Sequence, residues 1–372
     1  IIPVLPWMDL FFCGCIWLCM VLVAGSLEKK WLGSLLAFVI ALPFFLYMHY
    51  TLVAALVAAT GIFLCCRNGV SVKVLLLWVI SYMIRSQIGF LCLPFLGAAV
   101  VWQLLGSNTI DGQKIKKTGV FCGALLAGML VVTGVNKLCY MEEGWQHYLQ
   151  YNDARTQLYD YTDFLSTNKY RLECTDYGMS YEEYQLLFSY NTMLALEPDG
   201  EKVQQVADKI FADMKQDRTI VDSLTRGLKE YYIQLRYHDF PYNYIWMGAF
   251  AFLGCYFLFQ KKWKQILFLG ILFIGRSSIW IYLLIQGRFP ERVSVSLYLI
   301  ELLLLGIGLS NVSVQKSDLK KAGLLVSTVL LLGIGAYLTK DTFEKVEVQT
   351  KAQREWDVFK KYGRINYDTT YL

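Results

Sequence analysis

The chain has 372 residues, of which 56% are hydrophobic and 17% charged, with a formal net charge of +5 and a mean hydropathy of +0.40. Its apolar runs are far too long for the core helices of a soluble domain, and a backbone in lipid satisfies its polar groups within a chain segment only as helix. The charge averages basic turns with a long acidic segment, and nothing in it points to nucleic acid.

Ten apolar stretches follow in chain order at 7–25, 31–48, 51–66, 72–84, 88–105, 118–138, 243–260, 266–286, 293–309 and 322–339. The expected fold is therefore all-α, a polytopic membrane protein of about ten transmembrane helices. Stretches 51–66 and 72–84 fall below the roughly 20 residues an upright span needs, so each is expected to be poorly tilted, partly re-entrant, or to borrow residues from its neighbour. Basic residues sit in alternate gaps, at Lys29 and Lys30, Arg67 and Lys73, Lys114, Lys116 and Lys117, Lys261, Lys262 and Lys264, and Lys316, Lys320 and Lys321. These gaps read as cytoplasmic loops. The opposite turns, near His49, Arg85 and Gly287, hold only Arg85, Arg288 and Arg292 as basic residues.

Segment 140–241 carries 18 Asp and Glu against 10 Lys and Arg. It is expected to be a small all-α extracytoplasmic domain, with 1–139 forming spans one to six, 242–339 spans seven to ten, and 340–372 an extracytoplasmic tail. Trp145, Tyr148, Leu149, Asn152, Arg155, Leu158 and Tyr159 recur at three- and four-residue steps and share one face. Ser180 and Glu183 have capping-box spacing, and Pro198, Asp199 and Gly200 break the chain. Beyond them Val203, Val206, Ile210 and Met214 make one stripe, and Ile220, Leu224, Leu228, Tyr231 and Leu235 a second, as in two packed amphipathic helices. In the tail Trp356, Phe359 and Tyr362 keep helical steps and Gly363 is the expected stop. Most of the ten cysteines lie in apolar spans as small hydrophobes, leaving Cys139 and Cys174 as the candidates for a disulfide. The chain opens inside an apolar segment without Met and reads as a piece of a longer protein.

Ionisable groups in apolar helices carry the functional reading, because each costs about 2.5–3.5 kcal/mol at the bilayer centre. Arg276 and Glu301 lie about 15 Å and 12 Å from the outer ends of consecutive helices at 1.5 Å per residue. They read either as a structural ion pair or as the lining of a polar cavity open to the outer face, Ser277 and Ser278 favouring the cavity. Arg85, Arg288 and Arg292 collect near the outer interface with His49 and Asp9. Snorkelling to headgroups accounts for any one Arg, while the group suits bidentate contact with a lipid phosphate. Asp9 and Glu301 are the candidate catalytic carboxylates. Arg155, among Tyr151, Asp153, Tyr159 and Asp160, reads as an intradomain salt bridge or a sugar contact. Gly270, Gly275, Gly306 and Gly308 are expected to admit close helix packing. No metal-ligand cluster or phosphate loop is present in the sequence, and no cofactor is indicated.

The strings PWMDLF at 6–11, HYTLVAALVAATGIFL at 49–64, YMIRSQIGFLCLPF at 82–95, YNDARTQLYDY at 151–161 and GRFPERVSVSLYLIE at 287–301 resemble a group of multi-pass membrane proteins of anaerobic Gram-positive bacteria. The resemblance spans most of the chain and implies an architecture rather than an activity. The layout is similar to the GT-C class of polyprenyl-phosphate-sugar glycosyltransferases, which implies a catalytic Asp in a first outer loop, expected upstream of residue 1. The expected function is transfer of a sugar from a polyprenyl-phosphate donor to a cell-envelope glycan or glycolipid, with the bilayer and the lipid-linked sugar as partners. A transporter or flippase of lipid-linked oligosaccharide and a non-enzymatic assembly protein are the alternatives.

Overall fold

A computed structural model describes residues 6–26, 30–105, 112–162, 164–190, 201–216, 219–286, 289–310 and 317–365. All regular elements among them are helical: α1 (Trp7–Ser26), α2 (Lys30–Leu46), α3 (Tyr50–Asn68), α4 (Val72–Ile84), α5 (Ser86–Leu105), α6 (Gly112–Cys139), α7 (Glu143–Asp160), α8 (Lys169–Leu172), α9 (Tyr181–Phe188), α10 (Glu201–Gln216), α11 (Ile220–Tyr237), α12 (Tyr242–Phe259), α13 (Trp263–Ile285), α14 (Glu291–Ser310) and α15 (Ser317–Ile365). A helix thus covers every expected apolar stretch. Among the described residues six of them, α1, α3, α5, α6, α12 and α13, are long and apolar enough to cross a membrane.

The two short stretches resolve differently. Helix α3 has 19 residues, enough for a full span, whereas α4 has 13 and rises only about 20 Å against a hydrocarbon core of about 30 Å. At the other end, α15 runs unbroken for 49 residues, about 74 Å at 1.5 Å per residue. The expected division between a tenth span and a tail at 339/340 has no counterpart in the backbone, and Gly363 lies inside the helix rather than stopping it.

The chain divides into two compact units, one of Ile1–Leu125, Tyr244–Phe268 and Val295–Leu372, the other of Leu126–Asn243 and Leu269–Ser294. In the first, α3 is the hub, packed by α1, α4 and α5, while α2 packs on α1 and α15 on α2. Its side chains explain the role. Ala54, Ala55, Ala58 and Ala59 are fully buried, and small residues let neighbouring backbones approach where lipid supplies no hydrophobic drive between helices. Two side-chain bonds tie its neighbours to the α3 backbone: Ser81 Oγ donates to the Ala54 carbonyl at 2.8 Å, and Gln103 Nε2 donates to the Cys66 carbonyl. Of the four glycines expected at helix contacts, Gly308 meets another helix, at Leu253 of α12, while Gly270, Gly275 and Gly306 face open space.

In the second unit, α7 to α10 enclose an aromatic core of Leu158, Phe164, Tyr170, Tyr177, Tyr184, Leu187, Val203, Val206 and Ile210. The capping box of α9 is present, with Ser180 Oγ accepting from the Glu183 N–H and the Glu183 carboxylate accepting from the Ser180 N–H. The α7 face is rotated from the expected one. Ala154 and Leu158 are its buried positions, while Trp145 and Tyr148 are exposed and form an edge-on aromatic chain with Tyr140 just past the end of α6. Arg155 donates to Asn152 Oδ1 at 3.1 Å. Cys139 and Cys174, the candidate disulfide pair, are free thiols, the first exposed and the second in the core. The expected break at Pro198, Asp199 and Gly200 lies outside the described residues.

Two carboxylates stabilise this small domain. The Lys169 ammonium and the Tyr177 hydroxyl, both bonded to Asp213, hold its carboxyl below the usual range, and Lys202 with the Ser180 N–H does the same for Glu183. A depressed folded-state pKa gives stability that is complete above the ordinary carboxylate pKa and is lost as pH falls through the folded value. Thermal unfolding of the purified protein is therefore expected to show a midpoint that drops on acidification from pH 6 towards pH 3, and less steeply in Asp213→Asn. Phe164→Ala, which empties the centre of the core, is expected to cost about 3–5 kcal/mol by the same measurement.

Candidate functional site

The first constellation forms where α3 begins. His49 has an extended backbone (φ −130°, ψ 128°) and its Nδ1 accepts the Thr51 N–H at 3.2 Å, satisfying one of the donors a helix start leaves without an intrahelical partner. Its ring stacks on Tyr50 with centroids 4.5 Å apart. Arg85 occupies the break between α4 and α5, where its N–H bonds the Ser81 carbonyl. Its Nε and Nη2 donate to Gln87 Oε1 at 3.1 Å and 2.9 Å, its Nη1 donates to Thr51 Oγ1, and its guanidinium lies 5.0 Å from the Tyr50 ring centroid. Thr51 is the joint: its amide is held by His49 and its hydroxyl by Arg85.

The structure thus brings His49 and Arg85 together through residues that sequence reasoning missed. Of the five guanidinium N–H donors, three are engaged among the described residues, leaving one on each terminal nitrogen. Asp9 lies exposed in the first turn of α1, where its carboxylate faces the positive end of the helix dipole. Since α2 returns between α1 and α3, the two helices start at the same end of this unit, and Cys13 of α1 reaches the sulfur of Met48 at 3.5 Å.

The second constellation surrounds Arg276 on α13. The residue is 1% exposed, and its guanidinium stacks 4.4 Å from the Trp280 ring centroid and donates from Nη1 to the Tyr231 hydroxyl at 2.6 Å. Ser277 shares that hydroxyl at 3.0 Å, whereas Ser278 is exposed. Phe289 packs on Trp280, with ring centroids 4.8 Å apart. Insertion of an Arg costs about 2.5–3.5 kcal/mol. A desolvated cation–π contact of about 2 kcal/mol and a charged hydrogen bond of about 1.5–3 kcal/mol offset it. Tyr231 comes from α11, 45 residues away, so no local pattern announced it; Trp280, one turn from Arg276 on the same helix face, was legible from spacing.

Nearby in the same unit Asp239 adopts a left-handed backbone (φ 58°) that Asp tolerates through its short polar side chain. It accepts from Ser294 Oγ at 2.8 Å and from Gln234 Nε2 at 2.6 Å. Burial pushes its carboxyl up despite these two donors. Arg292 is half-buried in the first turn of α14, and Glu301 is fully buried further along that helix, in the other compact unit from Arg276. Arg288 lies outside the described residues.

No family model, curated protein or solved structure matches this chain.

Tyr231→Phe, which removes the hydroxyl from a buried cation, is expected to lower stability by about 1.5–3 kcal/mol in thermal unfolding. For Asp239 the sign is reversed: a raised folded-state pKa gives stability that is complete below the ordinary carboxylate pKa and lost as pH rises through the folded value. Asp239→Asn, which keeps an acceptor without the charge, is expected to raise the unfolding midpoint at neutral pH.

Proposed function

We propose that this is an integral-membrane glycosyltransferase-like protein that moves a sugar from a polyprenyl-phosphate donor to a cell-envelope glycan or glycolipid on the outer face. The Arg85 constellation carries the reading. A half-buried guanidinium braced by Gln87, Thr51 and Tyr50, with one N–H left on each terminal nitrogen, has the chemistry of a bidentate phosphate clamp. An acceptor hydroxyl, relieved of its proton by a carboxylate, attacks the anomeric carbon; the bond from that carbon to the phosphate oxygen breaks, and the departing lipid phosphate takes up negative charge beside arginine. Asp9 is the candidate base at this end of the bundle.

Sidedness supports the reading. The alternate basic gaps assign the starts of α1 and α3, the segment 140–241 and the region after 340 to the extracytoplasmic side of a cell membrane, around ten spanning segments. Half-buried Tyr140 just past α6 and exposed Trp145 and Tyr148 in α7 have the amphipathic rings that settle at a membrane–water boundary. A second reading, a transporter or flippase of lipid-linked oligosaccharide, draws on the Arg276, Tyr231 and Ser277 cluster set in an apolar helix.

The purified full-length protein is expected to turn over a radiolabelled polyprenyl-phosphate sugar, and Arg85→Ala to cut that rate on the order of ten- to hundredfold while remaining folded at the assay temperature. Arg85→Lys is expected to rescue little, because a point charge cannot keep the two bonds to Gln87. Lipid moved across vesicles with no new glycosidic bond would replace the enzyme with the transporter, and silence in both assays would leave an assembly protein. Glu182→Cys, in a chain whose exposed free Cys122, Cys139 and Cys255 are replaced by Ser, is labelled by an impermeant reagent on intact cells to test the sidedness directly.

A further inference from the structure

Helices α10 and α11 are 16 and 18 residues long and equally amphipathic in pattern, yet they end in different surroundings. The stripe of α10 is buried in the small domain through Val203, Val206 and Ile210, with Met214 packed partly buried against it. The stripe of α11 is buried only in part: Tyr231 and Leu235 are half-buried, whereas Ile220 is 87% exposed, Leu224 and Leu228 are each about half exposed, and beside them Val221 is 70% and Tyr232 about half exposed. At 100° per residue the five exposed positions span an arc of about 120°, and Asp222, Arg226, Lys229, Glu230 and Arg236 all fall outside it.

What α11 does pack against is α13. A Cβ at Gly227 would come within 2.6 Å of Ile285 and 3.5 Å of Ile281, so only glycine permits so close a crossing, and one turn later Tyr231 reaches Arg276 and Ser277. Helix α13 is one of the six able to cross a membrane, and its own flanks, Phe273, Ile274 and Tyr282, are exposed. A helix docked on such a neighbour meets the same solvent with its open side. Arg236 then lies 5.9 Å from the Tyr232 and 5.3 Å from the Tyr237 ring centroid, placing a cation and two tyrosines where the stripe ends, the side chains that anchor a helix at the headgroup level.

We propose that α11 is a membrane-interfacial helix whose partner is lipid: Ile220, Val221, Leu224, Leu228 and Tyr232 lie in the boundary between headgroups and acyl chains, with the charged face towards water. A segment whose overall charge places it with the acidic outer domain is, on this geometry, part of the membrane-embedded surface. The inference is independent of any catalytic role for Arg85.

The test uses the full chain, purified and reconstituted into phosphatidylglycerol and phosphatidylethanolamine vesicles containing radiolabelled phospholipid. A photoreactive p-benzoylphenylalanine is placed singly at Val221, Leu224 or Leu228, and at Arg226 or Lys229 on the opposite face; all five side chains are exposed, so folding is spared. The expected result is labelled phospholipid attached at the first three positions on the order of tenfold more than at the last two. Adducts between two copies of the chain at Leu224 and Leu228 would overturn the proposal in favour of a protein interface. Equal labelling on both faces, or no lipid adduct at the three apolar positions, would overturn it outright.

Discussion

A peptide group in hydrocarbon has no water to bond, and the rest of this structure answers to that one constraint. Helix is the form that lets each apolar segment close its hydrogen bonds alone, and the polar side chains inside those segments follow suit by bonding backward to their own helix. Thr60 donates to the Leu56 carbonyl at 2.8 Å, Thr133 to Met129 at 2.9 Å and Ser26 to Leu22 at 2.6 Å. Where a polar side chain instead crosses to a neighbour, as Ser81 and Gln103 do to the backbone of α3, it fixes the relative position of two helices that dispersion alone would leave free to slide.

That fixing is what makes the Arg85 constellation definite. The alanine-rich surface of α3 brings α4 and α5 close enough for the break between them to sit over the start of α3. Arg85 is then held by a hydroxyl, an amide and a ring that come from both sides of the contact. Arginine bound on several sides loses rotamer freedom before any ligand arrives, and a ligand contact made to it has less ordering entropy to overcome. Arg276 shows a different solution to the same expense. Its charge is met by the Trp280 ring and the Tyr231 hydroxyl, which Ser277 also bonds, an arrangement that makes α11 a structural partner of α13.

The pair α10 and α11 shows how little a stripe says about what covers it. Both begin with acidic first turns, and α11 has its own capping box between Thr219 and Asp222. Propensity and capping decide that each is a helix. Gly227 removes the bulk that would hold the α11 axis away from Ile285, and the helix settles on α13 through Tyr231 with Ile220, Leu224 and Leu228 left exposed.

Apolar run length and the alternation of Lys determined the helical class, the placement of every hydrophobic helix and the expectation of sidedness, because these depend on summed transfer energies that need no knowledge of neighbours. The spacing of Ser180 and Glu183 likewise fixed a helix start, a purely local bond. His49, Arg85 and Arg276 could be singled out because a charge or an imidazole near an apolar run is conspicuous by itself. Their partners Thr51, Gln87 and Tyr231, the docking of α11, the rotation of α7 and the unbroken run of α15 were decided by tertiary structure. Each of those depends on which backbones can approach within a few ångströms, a matter of shape between distant segments that periodicity along one segment does not encode.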